Sequence, residues 1–144
     1  MIAIDTNILV YAHRHDSRWH ERARRCVTQL AEGTRPWMIP WPCVHEFLAI
    51  TTHPRIYDPP TPLELAMEQM SLLSQSPSLS RGAESVLYWD TLRSTIAKAR
   101  AVGPMIHDAR IAAICIEHGV ELLLTADHDF SRFTGLKIRN PLVD

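Results

Sequence analysis

Four acidic residues in this sequence have the types and positions needed for chemistry on a bound metal ion. Asp5 directly follows the apolar run Ile2–Ile4, and Asp127 comes just past a second apolar run near the end of the chain. Glu46 and Asp108 each lie in the first turn of a predicted helix. Carboxylates that meet at one point repel one another, and Mg²⁺ or Mn²⁺ prefers such oxygen ligands. The four side chains therefore predict one acidic metal-binding pocket.

Each acid also has an ordinary structural interpretation when it is considered alone. Asp108 suits the positive end of a helix dipole, and Glu46 suits the solvated flank of an amphipathic helix. Asp127 and Asp129 fit turns, where aspartate is common. Asp5 is harder to explain in this way, because a charge that follows a buried strand needs a partner.

The apolar pattern predicts how these acids are positioned. Strands alternating with helices predict an α/β fold with a central, mostly parallel sheet and helices on both faces. Ligands of such sheets bind beyond the carboxyl ends of the strands, where Asp5 and Asp127 are expected. Strands are predicted over 2–4, 38–39, 121–125 and 136–138, a loop or short edge strand over 76–80, a loop over 126–135, and helices over 18–32, 43–52, 63–74, 83–101 and 106–118.

Composition indicates an ordinary globular domain. The chain has 144 residues, of which 46% are apolar and 22% charged, and this fits one domain over residues 1–144. No apolar run approaches the roughly 20 residues needed to cross a bilayer, and the first residues lack the features of a signal peptide. We therefore expect a cytoplasmic protein with no membrane contact.

Four segments of the sequence resemble the motifs of PIN domains, and most closely those of VapC-type toxins. They are Ile2-Ala3-Ile4-Asp5-Thr6-Asn7-Ile8-Leu9, His45-Glu46-Phe47, Asp108-Ala109-x-Ile111-Ala112-Ala113 and Leu123-Leu124-Thr125-Ala126-Asp127-His128-Asp129-Phe130. The segments occur in the family's order and span residues 2 to about 138. Residues 53–103 carry no motif.

The resemblance implies a PIN-like three-layer fold and a metal-dependent endoribonuclease that uses one or two Mg²⁺ or Mn²⁺ ions. It also implies a cognate antitoxin that blocks the site, and a homodimer. The catalytic and metal-binding roles fall on Asp5, Glu46, Asp108 and Asp127, with Thr6, Asn7 and Thr125 as supporting polar groups. Asp129 is a further candidate, although the family pattern places the ligand two residues after Thr125.

An RNA substrate requires local positive charge, because the formal net charge is only -1. Arg14, Arg18 and Arg22, with the neighbouring Arg24 and Arg25, form a cluster that is suited to RNA phosphates. The alternative is that these arginines solvate a helix face. Nucleic-acid binding through bulk charge alone is excluded, since it usually needs a strongly basic domain.

Several other side chains have a structural and a functional interpretation. Trp37 and Trp41 suit either packing or stacking on bases, and His13, His15 and His20 are read as surface histidines rather than metal ligands. The three cysteines are odd in number and form no Cys-x-x-Cys pair, which predicts small buried hydrophobes. They are Cys26, Cys43 and Cys115.

Three other functions are alternatives to the toxin ribonuclease. A haloacid-dehalogenase phosphatase needs a second acid where this chain has Asn7, and an amide does not transfer that proton. A non-catalytic PIN-fold binding module generally lacks some of the acids, whereas all four are present here. An RNA-processing nuclease without a toxin role stays open, and a neighbouring antitoxin gene would decide it.

Overall fold

A five-stranded sheet forms the centre of the computed structural model, which describes residues 1–143. All neighbouring strands pair in parallel. The elements in chain order are β1 (Ile2–Ile4), α1 (Thr6–His13), α2 (His20–Glu32), β2 (Trp37–Pro40), α3 (Trp41–Thr51), α4 (Leu63–Leu73), β3 (Leu79–Gly82), α5 (Tyr88–Ala99), α6 (Met105–Glu117), β4 (Leu122–Leu124), a 3₁₀ helix (His128–Arg132) and β5 (Lys137–Arg139).

The strand order β3-β2-β1-β4-β5 determines on which face each helix lies. The crossovers from β1 to β2 and from β2 to β3 move in one direction along the sheet, and the crossover from β3 to β4 moves back. Right-handed connections therefore place α1 to α4 on one face and α5 with α6 on the other. Side chains of α2 and α4 line one shared cavity, in agreement with this layering. The predicted α/β three-layer fold is confirmed.

The central strands are buried on both faces because helices cover each side of the sheet. Every residue of β1 and β2 is buried, and this explains their continuous apolar sequences. Helix α6 contributes the largest buried helical segment, with Ala109 and 111–115 in the core. None of the helices within residues 1–143 is long and apolar enough to cross a membrane.

Helix α1 is the main element that the apolar pattern did not predict. Residues 6–13 form a helix whose first turn is capped by Asp5, the side chain of which accepts from the Thr6 N–H. The run Ile8 to Val10 is buried in this helix, so this apolar stretch, which was given no predicted element, belongs to α1. His13 is accordingly the last residue of α1, and His20 is the first residue of α2.

The fifth helix is shorter than the sequence predicted. It begins at Tyr88 rather than at residue 83. The sequence of the predicted helix places an apolar stripe along one side, formed by Val86, Trp89, Leu92, Ile96 and Ala99. Val86 is fully exposed. Trp89 of the same stripe is also exposed, whereas Ala99 is buried. The N-terminal part of this stripe therefore lies on the surface.

Other boundaries moved by one to three residues. Helix α3 begins at Trp41, so that Glu46 lies in its second turn rather than in the first. The segment predicted as a loop or edge strand over 76–80 contributes β3 at 79–82, and the predicted loop over 126–135 contains the 3₁₀ helix. The last strand covers Lys137–Arg139 instead of 136–138.

The cysteines are unpaired, as expected. Cys43 and Cys115 are buried, which confirms their interpretation as core residues, whereas Cys26 is only half-buried. Burial raises the pKa of the Cys115 thiol to about 12.

Gly82 is the position at which the fold is least tolerant of a side chain. A Cβ built there would overlap Met38 Sδ and lie 3.0 Å from Ile114 Cγ2, and both neighbours are fully buried. We expect Gly82→Ala to lower the free energy of unfolding by about 1–3 kcal/mol through overpacking. Urea denaturation measures this loss, with the exposed Ser80→Ala of the same strand as the control. Equal stability of the two variants would contradict the prediction.

Candidate active site

Asp5 occupies the end of β1, where the chain turns into α1, and it is 5% exposed. Its Oδ1 accepts from the Thr6 N–H at 2.8 Å, and its Oδ2 accepts from the Thr125 hydroxyl at 2.8 Å. The Cys43 thiol donates to Oδ1 at 3.6 Å, and Asn7 Nδ2 lies 3.4 Å from Oδ2. Four donors thus hold this buried carboxylate in one orientation, as a buried charge requires.

Thr125 connects the ends of β1 and β4. Besides donating to Asp5, its Oγ1 accepts from the Asp127 N–H at 3.0 Å. The Asn7 amide contacts the same oxygen through Nδ2 at 3.4 Å, and its Oδ1 accepts from the Ala126 N–H at 3.2 Å. Asn7 and Thr125 are two of the three supporting residues predicted from the sequence. Their hydrogen bonds connect the segment that contains Asp5 with the segment that contains Asp127.

Glu46 is fixed by the third supporting residue, Thr6. The Thr6 hydroxyl donates to Glu46 Oε2 at 2.6 Å, which joins α1 to α3. Glu46 also contributes to the raised pKa of Asp5, although burial is the larger cause and the Thr125 and Thr6 hydrogen bonds oppose it. The two carboxylates are thus close enough to repel each other.

Asp127 and Asp129 differ in their surroundings. Asp127 is half-buried and caps the 3₁₀ helix, since its Oδ1 accepts from the Asp129 N–H at 2.8 Å. The side chain of Asp129 is exposed. Asp127 therefore fits both interpretations made from the sequence, the turn aspartate and the member of an acidic pocket, and Asp129 lies at the rim.

Asp108 has the clearest electrostatic signature of the site. It lies in the first turn of α6 and is half-buried. Burial raises its pKa to about 6, and the negative charges of four other acids act in the same direction: Asp127, Asp5, Glu46 and Asp129. The structure therefore brings all the predicted acids into one electrostatic cluster.

The chemistry of these donors fits a hard divalent cation. Within residues 1–143, no three histidine, cysteine or acidic side chains converge closely enough to form a complete cation cage. Mg²⁺ does not need such a cage, because it keeps several waters and binds through one or two carboxylates plus substrate phosphate. Burial and then the charges of four neighbouring carboxylates raise the pKa of Asp108, and a bound cation would offset the repulsion among these carboxylates.

The repulsion on Asp108 has a consequence for the stability of the metal-free protein. Because the folded-state pKa lies above the ordinary value of 3.8, ionisation of Asp108 disfavours the folded state. This contribution is small at about pH 4, grows as the pH rises to about 6, and stays complete at higher pH. We expect Asp108→Asn to raise the free energy of unfolding near pH 7 by about 1–2 kcal/mol, after allowance for solvent screening of a half-exposed group.

Urea denaturation in EDTA at about pH 4 and about pH 7 measures this effect of Asp108→Asn. The exposed first-turn acid of α5, Asp90, provides the matched control through Asp90→Asn. The expected result is a gain in Asp108→Asn alone, several times larger at the higher pH than at the lower one. A gain of equal size at both pH values would show that the charge of Asp108 is not its cause.

The arginines predicted to bind RNA have varied surroundings. Arg14 is held by Asp16 at 2.7 Å and lies 4.2 Å from the centre of the Tyr57 ring. The Arg18 guanidinium lies 4.4 Å from the centre of the Trp19 ring. Arg14 is therefore held within the 14–16 turn by these contacts, whereas Arg18 is exposed at the surface.

The histidines occupy the junction between α1 and α2. His13 Nε2 lies 3.1 Å from Thr61 Oγ1, and burial followed by the charge of Arg14 lowers the pKa of His13. The rings of His15 and His20 are 4.3 Å apart, and His20 Nδ1 lies 3.0 Å from the Tyr11 carbonyl. Local packing and hydrogen bonds account for these positions.

Trp37 and Trp41 lie in different environments. Trp37 is fully buried and its indole N–H donates to Ser76, so it is a packing residue. Trp41 is 39% exposed, and its ring is tilted at 49° to that of His45 with the ring centres 6.4 Å apart. The Arg81 guanidinium lies 5.2 Å from the centre of the Trp41 ring. Cys43 is a site residue that sequence reasoning missed, because nothing in the local pattern showed that its thiol would face Asp5.

The family model for the PIN domain matches residues 2–136. The chain therefore belongs to the PIN-domain family. Ribonuclease VapC43 of Mycobacterium tuberculosis is 32% identical over 142 residues, which cover 99% of this chain and 96% of that protein. Ribonuclease VapC25 of the same organism is 31% identical over 143 residues, with coverage of 99% and 100%.

Solved structures share the fold at lower identity. A structure of FitAB bound to an IR36 DNA fragment superposes with a TM-score of 0.72, at 18% identity and with coverage of 99% of this chain and 96% of that chain. VapBC2 from Rickettsia felis, bound to promoter DNA, gives a TM-score of 0.67 at 20% identity, with coverage of 97% and 98%. These matches extend over nearly the whole chain and confirm the three-layer arrangement.

Proposed function

We propose that this chain is a metal-dependent endoribonuclease and the toxin of a type II toxin–antitoxin pair. The observation that supports this most is the cluster of Asp5, Glu46, Asp108 and Asp127 at the carboxyl edge of the sheet, where burial and then the charges of the other acids raise the pKa of Asp108. The relatives named ribonucleases, at 31–32% identity over nearly the full chain, support RNA as the substrate.

The acidic residues have distinct tasks in this proposal. Asp5, Glu46, Asp108 and Asp127 are the groups that would hold one or two Mg²⁺ or Mn²⁺ ions. When bound, such an ion supplies positive charge and activates water for attack on the phosphodiester. Thr6, Asn7 and Thr125 orient the carboxylates through the hydrogen bonds that join β1, α3 and β4. Asp129 remains a rim residue with an electrostatic influence on Asp108.

A partner protein belongs to the proposal. Several structural neighbours are toxin–antitoxin complexes, including VapBC from Salmonella typhimurium and FitAB, and this supports a cognate antitoxin. Large apolar side chains on the surface of α4 and around the start of α5 support protein partners, either the antitoxin or a second copy in a homodimer. They are Leu63, Leu65, Met67, Leu72, Val86, Leu87 and Trp89.

The test of the nuclease uses purified, antitoxin-free protein and a pool of cellular RNA. Incubations with Mg²⁺, Mn²⁺ and EDTA are run beside an Asp5→Asn preparation purified in the same way. We expect discrete fragments with either metal, none in EDTA and none from the variant. Sequencing of the fragment ends would then define the cleaved RNA and position.

Other outcomes would assign the chain differently. Cleavage that survives both EDTA and Asp5→Asn would contradict the carboxylate site. Binding of RNA without cleavage under any metal, by folded protein, would favour a non-catalytic module. Induced expression tests the toxin role in the cytoplasm: growth arrest relieved by the product of a neighbouring gene supports it, and unimpaired growth with active enzyme favours an RNA-processing nuclease.

A further inference from the structure

An arginine-lined cavity of about 610 Å³ lies between α2 and the end of β5. We call it the arginine cavity. Of the residues that the structure describes, none of those lining it is acidic. They are Arg22, Arg25, Cys26, Gln29, Arg139, Asn140, Pro141 and Val143. In a chain with a net charge of -1, this is a local concentration of positive charge.

Two of its arginines are available for a ligand. Arg25 and Arg139 are exposed, and their guanidinium groups form no hydrogen bond or ion pair with any residue from 1 to 143. Arg24, in contrast, is paired with Glu21 at 2.8 Å. Arg22 donates to the Leu142 carbonyl at 2.9 Å, and it thereby fastens the segment after β5 to α2.

Arg139, in the wall of the arginine cavity, lies at the same edge of the sheet as the carboxylates. Ile4, Leu124 and Arg139 are register partners on the three adjacent strands β1, β4 and β5. The Thr125 N–H also donates to the Arg139 carbonyl at 3.0 Å. Two strand spacings separate β1 from β5, or about 10 Å. An RNA strand of a few nucleotides is long enough to cover both places.

The carboxylate cluster and the arginine cavity carry opposite charges, and an RNA strand that covers both would use each differently. The carboxylate cluster repels phosphates, so a substrate that carries one phosphate per nucleotide needs positive charge near the reaction point. Guanidinium groups bind phosphate oxygens through paired hydrogen bonds. Gln29 and Asn140 in the cavity wall add uncharged polar groups.

We propose that Arg25 and Arg139 bind a backbone phosphate of the RNA strand, a few nucleotides from the bond placed at Asp5 and Asp108. RNA then crosses the ends of β4 and β5 on its way to the carboxylates. This inference rests on the proposed ribonuclease function and names the path of its substrate. Because the contact is to phosphate, it is independent of base sequence.

Binding of a short fluorescein-labelled oligouridylate, followed by fluorescence anisotropy in EDTA over a range of NaCl concentrations, tests the proposal. The variant Arg25→Gln/Arg139→Gln is compared with Arg93→Gln/Lys98→Gln, which removes two exposed charges from α5 on the opposite face. We expect about tenfold weaker binding and a salt slope smaller by about 0.7 for the lost phosphate contact. The control should retain the wild-type slope. Equal behaviour of the two variants, or no binding by wild type, would overturn the proposal.

Cys26 gives a readout that needs no catalysis. It lines the arginine cavity and is half-buried, whereas Cys43 and Cys115 are buried. We expect oligouridylate to slow its alkylation by N-ethylmaleimide several-fold in wild type and not in Arg25→Gln/Arg139→Gln. Unchanged alkylation of wild type would contradict occupancy of the cavity. Protection by inorganic phosphate equal to that by RNA would reduce the cavity to a general anion site and refute the strand path.

The two proposals fail separately in these experiments. Metal-dependent cleavage with unaltered RNA binding by Arg25→Gln/Arg139→Gln would leave the ribonuclease and remove the strand path. Loss of RNA binding in that variant, in a protein that cleaves nothing, would leave an RNA-binding site without the ribonuclease.

Discussion

Replacing Asp5 by asparagine is expected to lower RNA cleavage by about 10²–10⁴-fold, because a bound metal ion contributes several kcal/mol of transition-state stabilisation. The amide keeps the shape of the side chain and one oxygen that can accept from the Thr6 N–H, so the cap of α1 survives. The variant loses the negatively charged carboxylate, which we propose to be a metal ligand. Initial cleavage rates at saturating Mn²⁺, with the fold checked by circular dichroism, measure the effect.

The control for Asp5→Asn is Asp90→Asn, which removes an exposed carboxylate from the first turn of α5. We expect the control to cleave RNA at the wild-type rate. Stability gives a second comparison: burial raises the pKa of Asp5, so loss of its charge should leave the metal-free fold intact. A folded Asp5→Asn variant with wild-type activity would exclude Asp5 from the catalytic site.

The placement of Asp5 and Asp127 could be predicted because it depends on local patterns. A fully apolar strand indicates a central position in a parallel sheet, and the residue after such a strand must lie at its carboxyl end. Asp108 was predicted in the first turn of its helix for a similar reason, since Gly103-Pro104 marks where that helix can begin. Strand order and parallel pairing then bring these three residues to one edge.

The contacts that orient the site could not be predicted, because they join distant parts of the chain. The Thr6 hydroxyl that holds Glu46 is 40 residues away from it in sequence, and no periodicity encodes that bond. Helix α1 was missed because its contiguous apolar residues 8–10 do not show a helical spacing. The cap supplied by Asp5 and the packing of α1 against α2 and α3 decide its conformation instead.

The arginine cavity illustrates a second feature that could not be predicted from the sequence. The sequence showed a cluster of arginines after the first motif, but it could not show which of them had acidic partners. Arg14 and Arg24 form ion pairs with nearby acids, whereas Arg25 lines the arginine cavity together with Arg139 of the last strand. Long-range pairing of α2 with the end of β5 decides which charges are available, and this depends on tertiary structure.

Thr125→Val is the second substitution with a large expected effect, because one hydroxyl serves three residues of the site. It donates to Asp5 Oδ2 at 2.8 Å, accepts from the Asp127 N–H at 3.0 Å, and lies 3.4 Å from Asn7 Nδ2. Valine has nearly the same volume but offers no hydrogen bond. We expect cleavage to fall about 10–100-fold, as is usual when a group that orients metal ligands is lost.

The readout that separates orientation from folding is the dependence of cleavage on metal concentration. For Thr125→Val, the Mn²⁺ concentration needed for half-maximal cleavage should rise, since Asp5 is no longer held in place. The conservative variant Thr125→Ser keeps the hydroxyl and should restore most of the activity. A uniform loss in both variants would indicate that packing of the threonine methyl group matters, because serine retains the hydroxyl and lacks only that methyl. Wild-type metal dependence in folded Thr125→Val would show that the bond to Asp5 does not position the metal ligands.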